Sequence, residues 1–155
     1  MKFTVIDNFL DNNIIHEIKK NVFSDKLEWK FCNPLTIEHK LIENNNNISA
    51  HAYLFNSLKN KINCKFIYHA SIKIIFIGED KKFFQDYYDN LNTFNIKYYL
   101  NTCNGSTEIR GGPKIMSKSN TIAFFKNLPH IEYAPTDQPY KVILDMNLEL
   151  NEEIW

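Results

Sequence analysis

Between Phe83 and Lys141 the chain gathers the side chains best suited to chemistry. His130 offers an imidazole that can ligate a metal or accept a proton, although a lone histidine taken by itself is more often a satisfied structural residue. Upstream, Gln85-Asp86-Tyr87-Tyr88-Asp89 brings together an amide, two carboxylates and two phenols. On a strand Gln85, Tyr87 and Asp89 share one face, while Asp86 and Tyr88 take the other. Tyr99, within Tyr98-Tyr99-Leu100-Asn101, supplies a phenol that would hydrogen-bond a bound carboxylate if it points inward. Arg110 is the only arginine, so a carboxylate anchor anywhere else must be a lysine.

The elements that must position these groups are mostly strands. Phe3 to Ile6 alternates, and Asp11 has the look of an N-cap before Ile14, Ile15, Ile18 and Val22, which are spaced for one helical face. Glu28 to Phe31 alternates again, and Asn44 to Asn47 reads as a polar loop. Ala50, Tyr53, Leu54, Leu58 and Ile62 then predict a second helix over Ser49 to Ile62. From Lys65 the period changes to two. Strands are predicted at Phe66 to Ile77, Phe83 to Tyr88, Thr93 to Leu100, Thr107 to Arg110, Lys114 to Ser117, Ile122 to Phe125, His130 to Tyr133 and Tyr140 to Leu148. Turn signals such as Gly78-Glu79-Asp80, Asn104-Gly105 and Gly111-Gly112-Pro113 separate them. About eight short strands after two helices imply a mainly β (α+β) chain, a β-sandwich or barrel backed by helices.

The order of these features resembles the catalytic half of an iron(II) and 2-oxoglutarate dependent dioxygenase of the prolyl 4-hydroxylase-like branch. That family runs from a His-x-Asp strand through a Tyr-Leu-Asn strand, a Gly-Gly-Thr-like turn and an Asn-Arg strand to a distal histidine and a basic residue shortly after it. Here Tyr99-Leu100-Asn101, Gly105-Ser106-Thr107, Asn120-Thr121, His130 and Lys141 stand in the same order, and Val5 to Leu10 resembles the opening phrase. The resemblance implies a double-stranded β-helix, or jelly roll, with two N-terminal helices behind it. It implies His130 as an iron ligand, and Lys141, with Tyr99 beside it, as the anchor of 2-oxoglutarate.

The chain departs from that pattern at the first iron motif. Counting back from the Tyr-Leu-Asn strand places the family's histidine at Gln85 and its aspartate at Tyr87. An amide oxygen and a phenol of pKa about 10 are poor replacements for an imidazole and a carboxylate. A rewritten metal site would draw on Asp89 and His130 with Gln85, or on Asp86 after a one-residue shift of register. His69, on the preceding strand, reads as a structural residue.

Composition bounds the remaining possibilities. The 155 residues, 44% hydrophobic and 14% aromatic, suffice for one core, and a single domain is expected: an N-terminal strand and helices over 1–64, then the jelly roll over 65–149. Eighteen basic residues balance eighteen acidic ones, so no net field recommends nucleic acid or an anionic membrane. Cys32, Cys64 and Cys103 form no C-x-x-C pair, and reduced thiols in the cytoplasm are expected. No apolar run approaches the length of a membrane span. Two functions follow: an Fe(II) and 2-oxoglutarate oxygenase acting on a small molecule or peptide through an altered metal site, or a member of the fold without cofactors that serves as a ligand-binding or protein-interaction module.

Overall fold

A computed structural model describes residues 3–24, 26–79, 82–85, 92–126 and 128–151, with the stretch 82–85 described by its backbone. Strand β1 (Phe3–Asp7) leads into helix α1 (Asn12–Val22), followed by β2 (Lys30–Asn33), β3 (Thr36–Glu43) and β4 (Asn46–Asn47). A 3-10 turn over Ala52–Phe55 runs into α2 (Asn56–Ile62). The remaining strands are β5 (Cys64–Phe76), β6 (Lys82–Gln85), β7 (Phe94–Tyr99), β8 (Ser106–Ile109), β9 (Lys114–Met116), β10 (Thr121–Lys126), β11 (His130–Tyr133) and β12 (Tyr140–Leu150).

Among the described residues these strands form two antiparallel sheets. The larger has the order β1-β10-β7-β12-β5-β3-β2, with β4 on β3, and the smaller the order β6-β11-β8-β9. From β5 onward the chain passes back and forth between the sheets, interrupted only by the β8–β9 hairpin. That winding makes a double-stranded β-helix, as expected. The N-terminal segment adds β1 to one side of the larger sheet and β2 and β3 to the other.

The period of two divides the larger sheet's side chains between two environments. Val142, Leu144, Met146 and Leu148 of β12 join Ile72, Ile74, Ile96 and Tyr98 in an apolar cluster that also takes in Ile15, Ile18 and Val22 of α1 and Leu58 and Ile62 of α2. Helix α1 thus buries the face expected of it. The opposite face packs Ile75, Tyr99, Ala123, Phe125 and Ile143 against Ile109 and Ile115 of the smaller sheet. On that same inner face stand Lys73, Lys97, Lys141 and Asp145, interleaved with the apolar residues.

Local structure departs from expectation in three places. Asp11 occupies the N-cap position, but its side chain makes no cap bond, and only its carbonyl accepts from Ile14 and Ile15. The second helix begins at Ala52 and not at Ser49, because the Ser49 Oγ and carbonyl engage the N–H groups of His51 and Ala52 in a turn. Asn44 and Asn45 both adopt positive φ, 47° and 63°, and close a two-residue hairpin between β3 and β4. Asparagine tolerates that conformation better than other non-glycine residues, so the polar loop is a tight turn.

Candidate functional site

The two sheets converge on Glu132. In β11, His130 and Glu132 lie two residues apart and are buried, while Ile131 and Tyr133 alternate outward. Pairing of β11 with β8 sets Glu132 directly opposite Thr107, and pairing with β6 sets His130 opposite Gln85. In the facing sheet, β12 stands between β5 and β7, so Asp145 is flanked by Ser71 and Lys97, while Ile143 is flanked by Lys73 and Tyr99.

This arrangement produces a chain of buried charges. The Lys73 ammonium lies 2.5 Å from one Asp145 oxygen, and Lys97 binds the other. Lys97 Nζ also lies 3.6 Å from Glu132 Oε1, and Lys141 Nζ donates to Glu132 Oε2 at 2.5 Å. Lys141 donates as well to the Ser106 carbonyl at 2.8 Å, and it sits over the Tyr99 ring, 5.7 Å from its centre. The Thr107 hydroxyl is within 3.0 Å of both Glu132 oxygens, and Tyr99 donates to Thr107 at 2.8 Å. Beyond Lys73 on the same face, Glu38 of β3 stands opposite it and pairs with His69 at 3.3 Å; His69 also meets Ser71 at 3.0 Å.

A buried charge is tolerable only when paired and hydrogen-bonded. Burial alone would raise the Glu132 carboxyl, but Lys141, Lys97 and His130 outweigh it and hold the group below its ordinary range. Asp145 is likewise pushed up by burial and pulled far lower by Lys73 and Lys97. For Glu38, desolvation is outweighed by His69, Lys73 and Ser71, giving a pKa of about 2. Complete burial draws the Lys141 ammonium down from the lysine range against the opposing pull of Glu132. Burial also raises the Tyr99 phenol well above its usual value, which keeps it neutral and a donor.

His130 stands at one end of this network. Its Nδ1 meets the Leu128 carbonyl at 3.1 Å, so Nδ1 carries the hydrogen and Nε2 the free lone pair. The ring packs edge-on against Phe125, 5.2 Å between centres. Nε2 is buried without a hydrogen-bond partner among the described residues, and Glu132 Oε1 is 3.9 Å away. Burial first, then the positive field of Lys97, lowers the imidazole pKa to about 4.

The structure therefore brings Tyr99, His130 and Lys141 to the space between the sheets. Gln85 lies across the ladder from His130 by its backbone register, which is the position the family's spacing gave for the first histidine. Tyr87 and Asp89, with the alternative Asp86, lie outside the described residues. Among the described residues no three His, Cys, Asp or Glu side chains are grouped to hold a metal ion. His69 has the structural role expected of it, between Glu38 and Ser71.

Sequence reasoning missed Lys73, Lys97, Glu132 and Asp145. A signal for them existed: each is a charge at an inward position of an otherwise apolar strand, such as Phe94-Asn95-Ile96-Lys97-Tyr98-Tyr99. The remaining motif residues are fold determinants. Asn101 donates to the Tyr140 carbonyl and accepts from the Val142 N–H, both at 2.8 Å, which locks the end of β7 to β12. Asn120 accepts from the Leu10 N–H and the Tyr98 hydroxyl and donates to the Leu10 carbonyl, tying the chain after β1 to the centre of the large sheet. Gly105 makes room for Lys141: a Cβ there would meet Lys141 Cδ and the Tyr133 carbonyl at 3.0 Å.

No protein-family model matches the sequence, and no curated protein matches it. Solved structures do match in three dimensions. A prolyl 4-hydroxylase from Pseudomonas putida aligns over 97% of this chain and 93% of its own, with a TM-score of 0.61 at 11% identity. The viral collagen prolyl hydroxylase of Paramecium bursaria Chlorella virus-1, in its 2-oxoglutarate complex, covers 98% and 97% with a TM-score of 0.61 at 15% identity. HygX from Streptomyces hygroscopicus, with nickel and 2-oxoglutarate bound, covers 96% and 83% with a TM-score of 0.68 at 9% identity. The chain carries the jelly-roll fold of the iron(II) and 2-oxoglutarate dependent oxygenases, in the form found in prolyl 4-hydroxylases.

Proposed function

We propose that this chain is an oxygenase-fold module that binds a small molecule or peptide and does not oxidise it. One observation carries the reading: Lys141, to which the sequence resemblance gives the role of 2-oxoglutarate anchor, is neutralised by Glu132 with both side chains fully buried. A 2-oxoglutarate carboxylate would have to displace Glu132 from Lys141 and Thr107 and leave that carboxylate buried beside it. The cost of an unpaired buried carboxylate is several kcal/mol in order of magnitude. The described residues therefore do not fit the cosubstrate.

Iron meets a related obstacle. A divalent cation at His130 Nε2 would meet the repulsive field of Lys97, and the nearest described carboxylate, Glu132 at 3.9 Å, is already committed to Lys141 and Thr107. Gln85 across the ladder contributes at most a neutral amide. Free Cys32 at the surface suits a reducing, cytoplasmic setting. Among the described residues no helix is long and apolar enough to cross a membrane.

The second reading is an oxygenase whose iron rests on His130, Asp89 and Gln85. It is favoured by the unpartnered lone pair of His130 Nε2, the atom a metal would use. Anaerobic titration with iron(II) or manganese(II) separates the two. The module reading expects no binding at millimolar metal, and micromolar affinity abolished by His130→Ala would favour the oxygenase.

A further inference from the structure

We infer that Glu132 is an intramolecular occupant of a carboxylate-binding seat, so that the specificity of this pocket is set by a side chain of the chain itself. The inference deepens the module reading and rests on it. Its basis is the completeness of the donor set around one carboxylate. Lys141 Nζ reaches one oxygen at 2.5 Å, the Thr107 hydroxyl spans both at 2.9 and 3.0 Å, and Lys97 Nζ stands 3.6 Å from the other. Behind these donors lie further fixed groups. Tyr99 donates to Thr107, which aligns the hydroxyl for Glu132, and the Ser106 carbonyl takes a second Lys141 hydrogen.

Simple charge neutralisation does not require so much. Asp145 offsets Lys73 and Lys97 through both of its oxygens. Glu132, by contrast, is held by an ammonium, a hydroxyl and a second cation contributed by three other strands, β12, β8 and β7. Gly105 has no side chain where one would crowd the Lys141 stem, so the ammonium reaches past it to this point. Convergent donors of mixed type around a buried position are the features of a ligand site. Removing the glutamate side chain beyond Cβ should leave those donors around a space close in size to acetate.

The ligand class this assigns to the vacated seat is a small carboxylate. Glu132→Ala is melted in sodium acetate, sodium propionate and sodium chloride at equal ionic strength. Wild type should show the same midpoint in all three. The variant should gain a few degrees, saturably, in acetate and less in propionate, whose extra carbon meets the retained Cβ, because a ligand that binds only the folded state stabilises it by mass action. Glu132→Ala/Lys141→Met, which lacks the anchor, should gain nothing. Should Glu132→Ala not fold in chloride, the readout becomes recovery of folded protein on refolding in acetate.

A variant indifferent to the anion, or equally unrecovered in acetate and chloride, overturns the inference and leaves the module reading standing. Turnover of 2-oxoglutarate by wild type would remove the module reading whatever the variant does.

Discussion

Glu132 and Lys141 come from adjacent strands in sequence but from opposite sheets, and they meet at 2.5 Å with neither side chain exposed. Each is neutralised largely by the other, so removing one partner strands a buried charge. Glu132→Ala should destabilise the fold by about 3–5 kcal/mol. For a chain of this size that corresponds to a drop of roughly 10 to 15 °C in Tm. Replacing both with apolar residues, as in Glu132→Met/Lys141→Met, should be much milder than either single change. Chemical denaturation of Glu132→Met, Lys141→Met and the double variant checks this, and strict additivity of the single losses would contradict the pairing.

His130 gives stability a pH dependence of known sign. Its folded pKa, about 4, lies below the ordinary value of 6.5, because burial and Lys97 disfavour the imidazolium. The unfolded chain therefore binds the extra proton first. Stability is fully present above pH 6.5 and falls as pH drops toward 4, by at most about 3 kcal/mol. Glu38, Glu132 and Asp145, all held below their ordinary values, add further loss only at pH below about 4.5. Urea midpoints of wild type and His130→Leu between pH 7 and 4.5 check the assignment. The variant should lose the slope that wild type shows.

Asn120 combines a positive φ of 61° with three buried hydrogen bonds. Asn120→Ala leaves the Leu10 amide and carbonyl and the Tyr98 hydroxyl unpaired, at about 1–3 kcal/mol for each group left unsatisfied. Asn120→Gly relaxes the backbone but loses the same bonds, so it should be nearly as damaging. Full stability in the glycine variant would show that the backbone conformation alone selects asparagine here.

Gly105→Ala tests the space that Lys141 needs. A new methyl would meet the Tyr133 carbonyl and Lys141 Cδ at 3.0 Å and the Pro135 nitrogen at 3.2 Å. Two of those atoms are backbone and cannot swing aside, so the loss should be about 1–3 kcal/mol. A thermal melt unchanged from wild type would show that Lys141 does not depend on the glycine.

The strand pattern from Lys65 onward was legible because in the larger sheet the inward positions alternate with apolar residues that pack on the helices. Strand β3 was not. It buries Thr36 and His39 and carries a bulge between Lys40 and Ile42, so its period of two is interrupted where it would have been read. The candidate site was legible only in part, for a related reason. His130, Tyr99 and Lys141 stood out by their order along the chain, but the partner of Lys141 depends on two sheets closing over each other. Nothing local in His130-Ile131-Glu132-Tyr133 states that Glu132 meets a lysine from β12. The pairing of Gln85 with His130 was equally invisible, because it joins strands 45 positions apart in the chain.

The central claim is that Glu132 already fills the place of the cosubstrate. Anaerobic isothermal titration of the wild-type protein with 2-oxoglutarate, with and without iron(II), tests it most directly. No binding should be seen at millimolar 2-oxoglutarate in either condition, whereas a micromolar Kd that requires Lys141 would contradict the account.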